Sequence, residues 1–533
     1  MENLVRKITF SKIVWILFYL MIFFVLLNNS FGYLDPDFGW HLKVGEQIIK
    51  ERAVPNLEHY NYTLEGKTWV DHEWLINASV YWVYTNLGYP ALNILFALII
   101  IASLIILNIL VKKYVLTEQN SFILVIIFQF FGTIACLPHF GIRMQEITIL
   151  NLSLLLLIIY HFNKHRNIKV LFFLPPLFYL WACSHGGFLI GLAILFSWLG
   201  AKLVEKFVAQ TKLANFIKNN NELKIKDLSY FFIFSLAAVF TTLFTPYGLK
   251  LFNFLGGYYK STFYLKVIQE WLPFYALPIE TWKLLYISIV LIAIVLSIYF
   301  TFIKKNGRKV DIWEVSVSFL LIILALKSKR HFPVLFIVSF PLIIRFFSEF
   351  LDAPNDSFLN KKWRRSFFII KPYFIIIFFA IISSRLVDTR FITDPFNYFG
   401  DKYPRDAVYF LKNHPEYDGL KLVERYGWGG YLIWTLPERK LFIDGRLPQY
   451  PFAGRSLLEE YLDFFNKDRI EGKINEHNIG MFLIPAKKDY LKLGWFEKYV
   501  LLLNEEKINI YNDELKDYLD GSAKWRLAYR DET

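Results

Sequence analysis

The sequence predicts a polytopic α-helical membrane protein of about eleven spans, followed by an α/β domain outside the membrane. Three observations carry that reading. The chain of 533 residues is 55% hydrophobic and 19% aromatic, with a mean hydropathy of +0.36. A soluble protein does not carry that much apolar surface in repeated long runs. The runs recur from residue 12 to residue 384 and then stop. The strong basic clusters between them fall on alternate connections, as orientation by cytoplasmic Lys and Arg requires.

The spans are expected near 12–29, 91–111, 121–137, 147–161, 168–182, 186–203, 229–245, 283–303, 312–326, 331–347 and 367–384. Several fall short of the roughly 20 residues that a bilayer needs, so aromatic and Lys flanks complete them. With Arg6, Lys7 and Lys12 inside, alternation also places Lys112-Lys113, Lys164-His165-Arg166, the 204–228 loop, Lys304–Lys309 and Lys361–Arg365 inside. Residues 30–90 and 385–533 then share the outer side. The first run resembles a signal sequence without a small-residue cleavage site and is read as a retained helix.

The formal net charge of +13 reflects basic loops facing anionic lipid rather than a nucleic-acid partner. Cys136 and Cys183 exclude a disulfide framework or zinc cluster; they read as buried thiols, with one bridge as the alternative. No phosphate-cradling GxxxxGK[ST], no GxSxG and no HExxH occurs. The Asn28, Asn61 and Asn77 sequons are too short a pattern to weigh.

The most informative stretch follows the first span: Leu34-Asp35-Pro36-Asp37-Phe38-Gly39-Trp40-His41-Leu42. Two carboxylates and an imidazole at a membrane surface are costly unless used. The competing reading makes Asp37 only the N-cap of the helix that Pro36 helps to open. Leu42, Gly45, Ile48 and Ile49 recur at helical spacing, predicting an amphipathic helix on the bilayer surface that ends before Pro55. Trp69-Val70-Asp71-His72-Glu73-Trp74-Leu75 opens a second interfacial helix. His41, Asp71, His72 and Glu73 are candidates there for substrate binding, against simple first-turn acidity.

The other outer loops supply His139, Arg143 and Glu146, then His185, then Tyr258 and Lys260, then Lys327, Lys329, Arg330 and His331. The last cluster runs against the positive-inside preference, and cations kept outside at that cost suggest an anionic ligand, phosphate first. From 385 the composition shifts. A helix is expected at 404–414, a strand at 421–426, a glycine-hinged turn-helix at Trp428–Trp434, a buried strand at Lys440–Arg446, a helix at 456–468 and a strand at 479–485. This sets a transmembrane domain of 1–384 and an extracytoplasmic domain of 385–533.

Asp35-Pro36-Asp37, Gly45-Glu46-Gln47-Ile48-Ile49, Pro55, Gly66 and Glu73-Trp74-Leu75, after a first span, resemble the GT-C superfamily of lipid-phosphosugar glycosyltransferases. That superfamily includes protein O-mannosyltransferases, lipid A aminoarabinose transferases and the catalytic subunit of oligosaccharyltransferase. Over nearly its full length the chain also resembles prokaryotic membrane proteins with DPDxxWHLxxGExI, WxxHEWL and an outer WGGYLIW…FIDGR domain. The resemblance implies an inverting transfer of sugar from a polyprenyl phosphate or pyrophosphate to a glycan, lipid or protein acceptor at the outer face of the cell membrane. It makes Asp37 the catalytic carboxylate, with Asp35 the alternate, and Arg143, Lys329 and Arg330 the phosphate ligands. In metal-using members acidic residues of two outer loops hold a divalent ion, Mg or Mn. Here Asp37 and Glu146 would do so, with Glu73 third. The 139–146 loop lacks that enzyme's second acidic pair, which favours a reaction without metal. The competing readings are a flippase for a lipid-linked glycan, which predicts charges within spans or broken helices in matched halves, and a non-catalytic anchoring or assembly protein.

Overall fold

The computed structural model describes residues 2–116, 122–211, 223–260, 263–303, 310–352, 377, 380–381, 391–487, 491–508 and 514–533. The chain forms two compact units. One comprises residues 1–32, 93–245 and 280–390, the other 33–92, 246–279 and 391–533.

The first unit is helical. Among the described residues seven helices are long and apolar enough to cross a membrane: Lys12–Phe31, Trp74–Tyr114, Glu146–His165, Phe188–Val208, Ile225–Thr242, Thr281–Phe302 and Lys329–Phe350. Ile123–His139 and Ile168–Ala182 are shorter apolar helices, and Ile312–Lys327 has 16 residues. These ten match ten of the expected runs; the eleventh, 367–384, lies almost wholly outside the described residues, as do the basic clusters at 304–309 and 361–365. The Trp74–Tyr114 helix breaks at Gly88, whose φ of 81° a side chain would resist.

Small residues let these helices approach closely. A Cβ on Gly132 would lie 2.1 Å from the Phe336 ring, and one on Gly191 2.4 Å from Trp181. Charged groups within the spans pair with one another. Arg345 reaches both oxygens of Glu314 at 2.8 and 2.9 Å, and Lys202 pairs with Glu205 at 2.7 Å. Cys136 and Cys183 are buried thiols that form no disulfide.

The second unit mixes short helices with two small sheets. Strands β1 (Lys421–Glu424) and β4 (Ile479–Leu483) pair in parallel, and β2 (Pro451–Phe452) and β3 (Arg455–Ser456) pair antiparallel. Ser456 caps the Leu457–Leu462 helix through a capping box with Glu459. The expected strand at Lys440–Arg446 is not regular: one bridge joins Leu441 to Asn61. Side chains hold the rest of this segment. Glu424 accepts from the backbone N–H groups of Phe442 and Ile443 at 3.0 and 2.9 Å, and Thr63 Oγ1 donates to the Phe442 carbonyl.

The helix expected after Asp37 spans Phe38–Glu51, but Leu42, Gly45 and Ile48 of its apolar face are buried against protein, while Ile49 stays exposed. Leu42 is fully buried. A Cβ on Gly39 would lie 2.1 Å from the Gly430 carbonyl oxygen, and one on Gly430 would lie 2.2 Å from that of Pro36. Gly45 is pressed in the same way on the Asn77 carbonyl. Glycine thus seats this helix on the Gly429–Thr435 helix, with Phe38 stacked on Phe396 and Phe396 on Trp434.

Candidate functional site

Each unit carries one cluster of the residues that the sequence singles out. In the second unit the cluster is acidic. Asp37 stands at the N-cap of the Phe38–Glu51 helix, yet its side chain makes no capping hydrogen bond. Asp35 does the local work, its Oδ1 accepting from the Asp37 N–H at 2.9 Å. The Asp37 carboxyl is instead directed at Gly445, where a Cβ would lie 2.1 Å from Oδ1. Crowding by protein atoms raises its pKa to about 7. The charge of Asp35 adds to that rise, a polar contact from Trp40 opposes it, and Glu270 and Asp444 contribute further. Asp37 therefore changes charge near neutrality while part of its surface stays open.

Gly445 is held in place by its neighbours. Asp444 Oδ1 and Oδ2 accept from Arg446 at 2.9 and 2.6 Å, and Oδ2 also accepts from Asn61 Nδ2 at 2.7 Å. Arg446 pairs with Glu58 at 2.9 Å. Its guanidinium lies between the Tyr60 and Trp69 rings, 4.7 and 4.6 Å from their centroids. One buried cation thus ties the 444–446 turn to the first loop.

His41, Asp71 and Asn77 form a chain in the same unit. The His41 Nδ1–H donates to Asn77 Oδ1 at 2.7 Å, and Asn77 Nδ2 donates to both Asp71 oxygens at 3.0 and 2.9 Å. Burial holds His41 neutral, its pKa lowered to about 3, and raises Asp71 to about 6. These two are occupied with each other through Asn77. Glu73 lies 4.0 Å from His41 and 3.7 Å from His72, whose ring packs beside Phe254. Tyr258 and Lys260 fall at the end of the Leu249–Lys260 helix, and their side chains lie outside the described residues.

In the first unit the cluster is basic and centred on His139. Lys283 Nζ donates to His139 Nε2 at 2.7 Å and pairs with Glu280 at 2.6 Å. Arg143, Arg330 and Lys329 also stand close enough for their charges to act on His139. Lys329 is buried, Arg143, Arg330 and His331 are half-buried, and Lys327 is exposed. Glu146 is turned inward, its Oε1 accepting from the Gly141 N–H at 2.7 Å to close the 139–146 turn. His185 Nδ1 accepts from Thr148 Oγ1 and the Gly187 N–H at 2.8 and 2.9 Å, and the side chain is half-buried.

The carboxylates named for a metal are divided between the units, Asp37 and Glu73 in one and Glu146 in the other. Their oxygens suit a hard divalent cation, and Glu146 Oε2 is buried with no hydrogen-bond partner. Among the described residues the one trio placed to share an ion is Glu460, Glu476 and His477. There Arg455, Lys473 and His477 already engage Glu460.

Sequence reasoning did not choose Gly445, Asp444, Arg446, Glu58, Glu270 or Lys283. The FIDGR stretch was the signal for the first three. Glu58 and Lys283 had none, since each is defined by a partner remote in sequence. The asparagines of the 61–63 and 77–79 sequons, Asn61 and Asn77, are fully buried.

No family model matches the chain, and no curated protein matches it by sequence. Its fold is similar to that of a solved structure, the oligosaccharyltransferase of Archaeoglobus fulgidus in the apo form. The TM-score is 0.53 at 11% identity, over 87% of this chain and 69% of that one. At that identity the likeness establishes the fold.

Proposed function

We propose that this chain, which has the fold of an oligosaccharyltransferase, is a membrane glycosyltransferase that moves a sugar from a polyprenyl phosphate or pyrophosphate to an acceptor. The observation that carries the reading is the Asp37 carboxyl: left unused as a helix cap, crowded against Gly445, and poised near neutral pH. A general base works best when its pKa lies near the operating pH. Asp37 takes the acceptor proton as the acceptor attacks the anomeric carbon from the face opposite the leaving phosphate, so the configuration inverts. The carbon–oxygen bond to the lipid phosphate breaks, and the electron pair leaves with the phosphate.

That departing anion needs positive charge. Arg143, Lys329 and Arg330 supply it in this proposal, with Lys283 holding His139 in a fixed orientation among them. In the metal-using form that the resemblance implies, Asp37 and Glu146 would be the carboxylates to hold a divalent cation, whose contribution would be Lewis-acid charge for the leaving group. The N-terminus is cytoplasmic in this reading, and both the first loop and residues 391–533 work at the outer face of the cell membrane.

The test uses the purified chain in lipid with a panel of radiolabelled polyprenyl-phosphate sugars and cell-envelope extract as acceptor. Loss of label from the lipid that requires Asp37 is expected, with Asp37→Asn as the control. No loss from any donor, by folded and inserted protein, would overturn the reading in favour of anchoring or transport.

A further inference from the structure

A cleft of about 820 Å³ opens within the 391–533 part of the second unit, within the volume range of ligand sites. One wall of it is continuous in sequence, running from Gly480 through Ala486. Side chains along a strand alternate between faces, so a cleft lying over one face of β4 would touch every second residue. Contact with consecutive residues means that the cleft runs along the strand's edge. The other edge of β4 is filled by β1, and the Arg425 N–H continues that pairing to the Leu483 carbonyl. Among the described residues, the one backbone hydrogen bond on the cleft side comes just past the strand, from the Ala486 N–H to the Thr533 carbonyl.

The opposite wall is the chain's own C-terminal stretch, which has no regular secondary structure. The Trp525 ring packs against Phe482 with centroids 5.2 Å apart, and Tyr529 stacks on Phe410 at 4.8 Å. Polypeptide is thus already seated here by aromatic contacts, and among the described residues it pairs with the β4 segment through its backbone at Thr533. Between that tail and β4 lies a row of main-chain donors and acceptors facing an aromatic-lined space.

The geometry points to a binding site for an extended segment of another polypeptide, which adds to the edge of β4 as a new strand. Main-chain hydrogen bonds supply affinity in such additions, and alternate side chains supply selectivity. Here the alternate side chains meet Phe410, Phe482 and Trp525. The same rings would also suit a sugar face, but a glycan has no use for a strand edge.

The test uses the full chain in lipid nanodiscs and a fluorescent peptide of alternating valine and threonine, about ten residues long with lysines at its ends. A second peptide is N-methylated at every residue, which keeps the side chains and removes every main-chain donor. The third probe is a neutral tetrasaccharide. A benzophenone on the first peptide reports position by mass spectrometry. Saturable binding is expected, with cross-links on 479–486 or 522–533 and at least a roughly tenfold loss on N-methylation. Binding that survives N-methylation, cross-links elsewhere, competition by the tetrasaccharide, or no binding would each overturn the site.

Discussion

Asp37 and Gly445, 408 positions apart in the chain, meet so closely that Asp37 Oδ1 fills the place of a Gly445 side chain, 2.1 Å from where its Cβ would be. An alanine there must push either the carboxylate or the 444–446 turn aside. Gly445→Ala is expected to lower transfer by about a hundredfold, as a displacement of about 1 Å at a reacting group can, while the chain still inserts and folds. The check is single-turnover transfer beside a thermal melt in lipid. Full activity would mean that the Asp37 position is not critical.

The raised pKa of Asp37 sets a pH profile. As the base, Asp37 must be charged, so kcat/KM should climb as pH rises through about 7 and level off above it. Stability runs the other way. Between the ordinary carboxylate pKa and about 7 the folded chain keeps a proton that the unfolded chain has released, so stability falls as pH rises through that window. Asp37→Asn, which cannot ionise, is therefore expected to melt higher than the parent at pH 8 and alike at pH 4. Equal melting at both would remove the case for a strained carboxylate.

Arg446 should resist conservative replacement. Arg446→Met leaves Asp444 and Glu58 as buried carboxylates without their cation, a loss of about 3–5 kcal/mol. Arg446→Lys keeps charge but loses the fork that meets two carboxylates and the flat face between Tyr60 and Trp69. Both variants should lower the thermal midpoint, with the lysine variant intermediate. A melt unchanged by Arg446→Met would show that other contacts fix the turn.

The cations around His139 should act on the donor rather than on the acceptor. Removing one charge-assisted bond to phosphate costs about 1.5–3 kcal/mol. Arg330→Ala is thus expected to raise the KM for lipid donor by roughly ten- to a hundredfold, with the KM for acceptor unchanged. Lys283→Met, acting through His139, should give the same direction with a smaller effect. Initial rates with each substrate varied in turn would decide.

The helices and the acidic pair were legible in the sequence because both are local signals. Apolar runs at 147–161 or 331–347 announce themselves by length, and a Pro between two Asp residues after a span stands out by its cost. The boundary drawn at 384 rested on composition, which cannot reveal that residues 33–92 and 246–279 pack with 391–533. Periodicity likewise showed that Leu42 and Ile48 share a helix face without showing that protein covers it. Its glycines, Gly39 and Gly45, were the overlooked sign: an interfacial helix has no need for backbone-to-backbone approach. The Lys440–Arg446 segment has the β-branched and aromatic content of a strand, but its amide groups go to a carboxylate, Glu424, and apolar patterning cannot register that. Lys283 opens an apolar run and read as a flank, although it is buried on His139.

The second unit draws its three stretches from both sides of long helical segments. A nascent chain that has emerged only as far as residue 390 holds Asp35 and Asp37 but neither Gly430 nor the 444–446 turn. Until the last stretch arrives to press a glycine against it, the carboxylate has Asp35 and Glu270 to raise its pKa but lacks the crowding at Gly445 and the charge of Asp444. The order of synthesis thus acts as a safety catch: the proposed base meets its last neighbour, Gly445, only when the final stretch of the chain has been made.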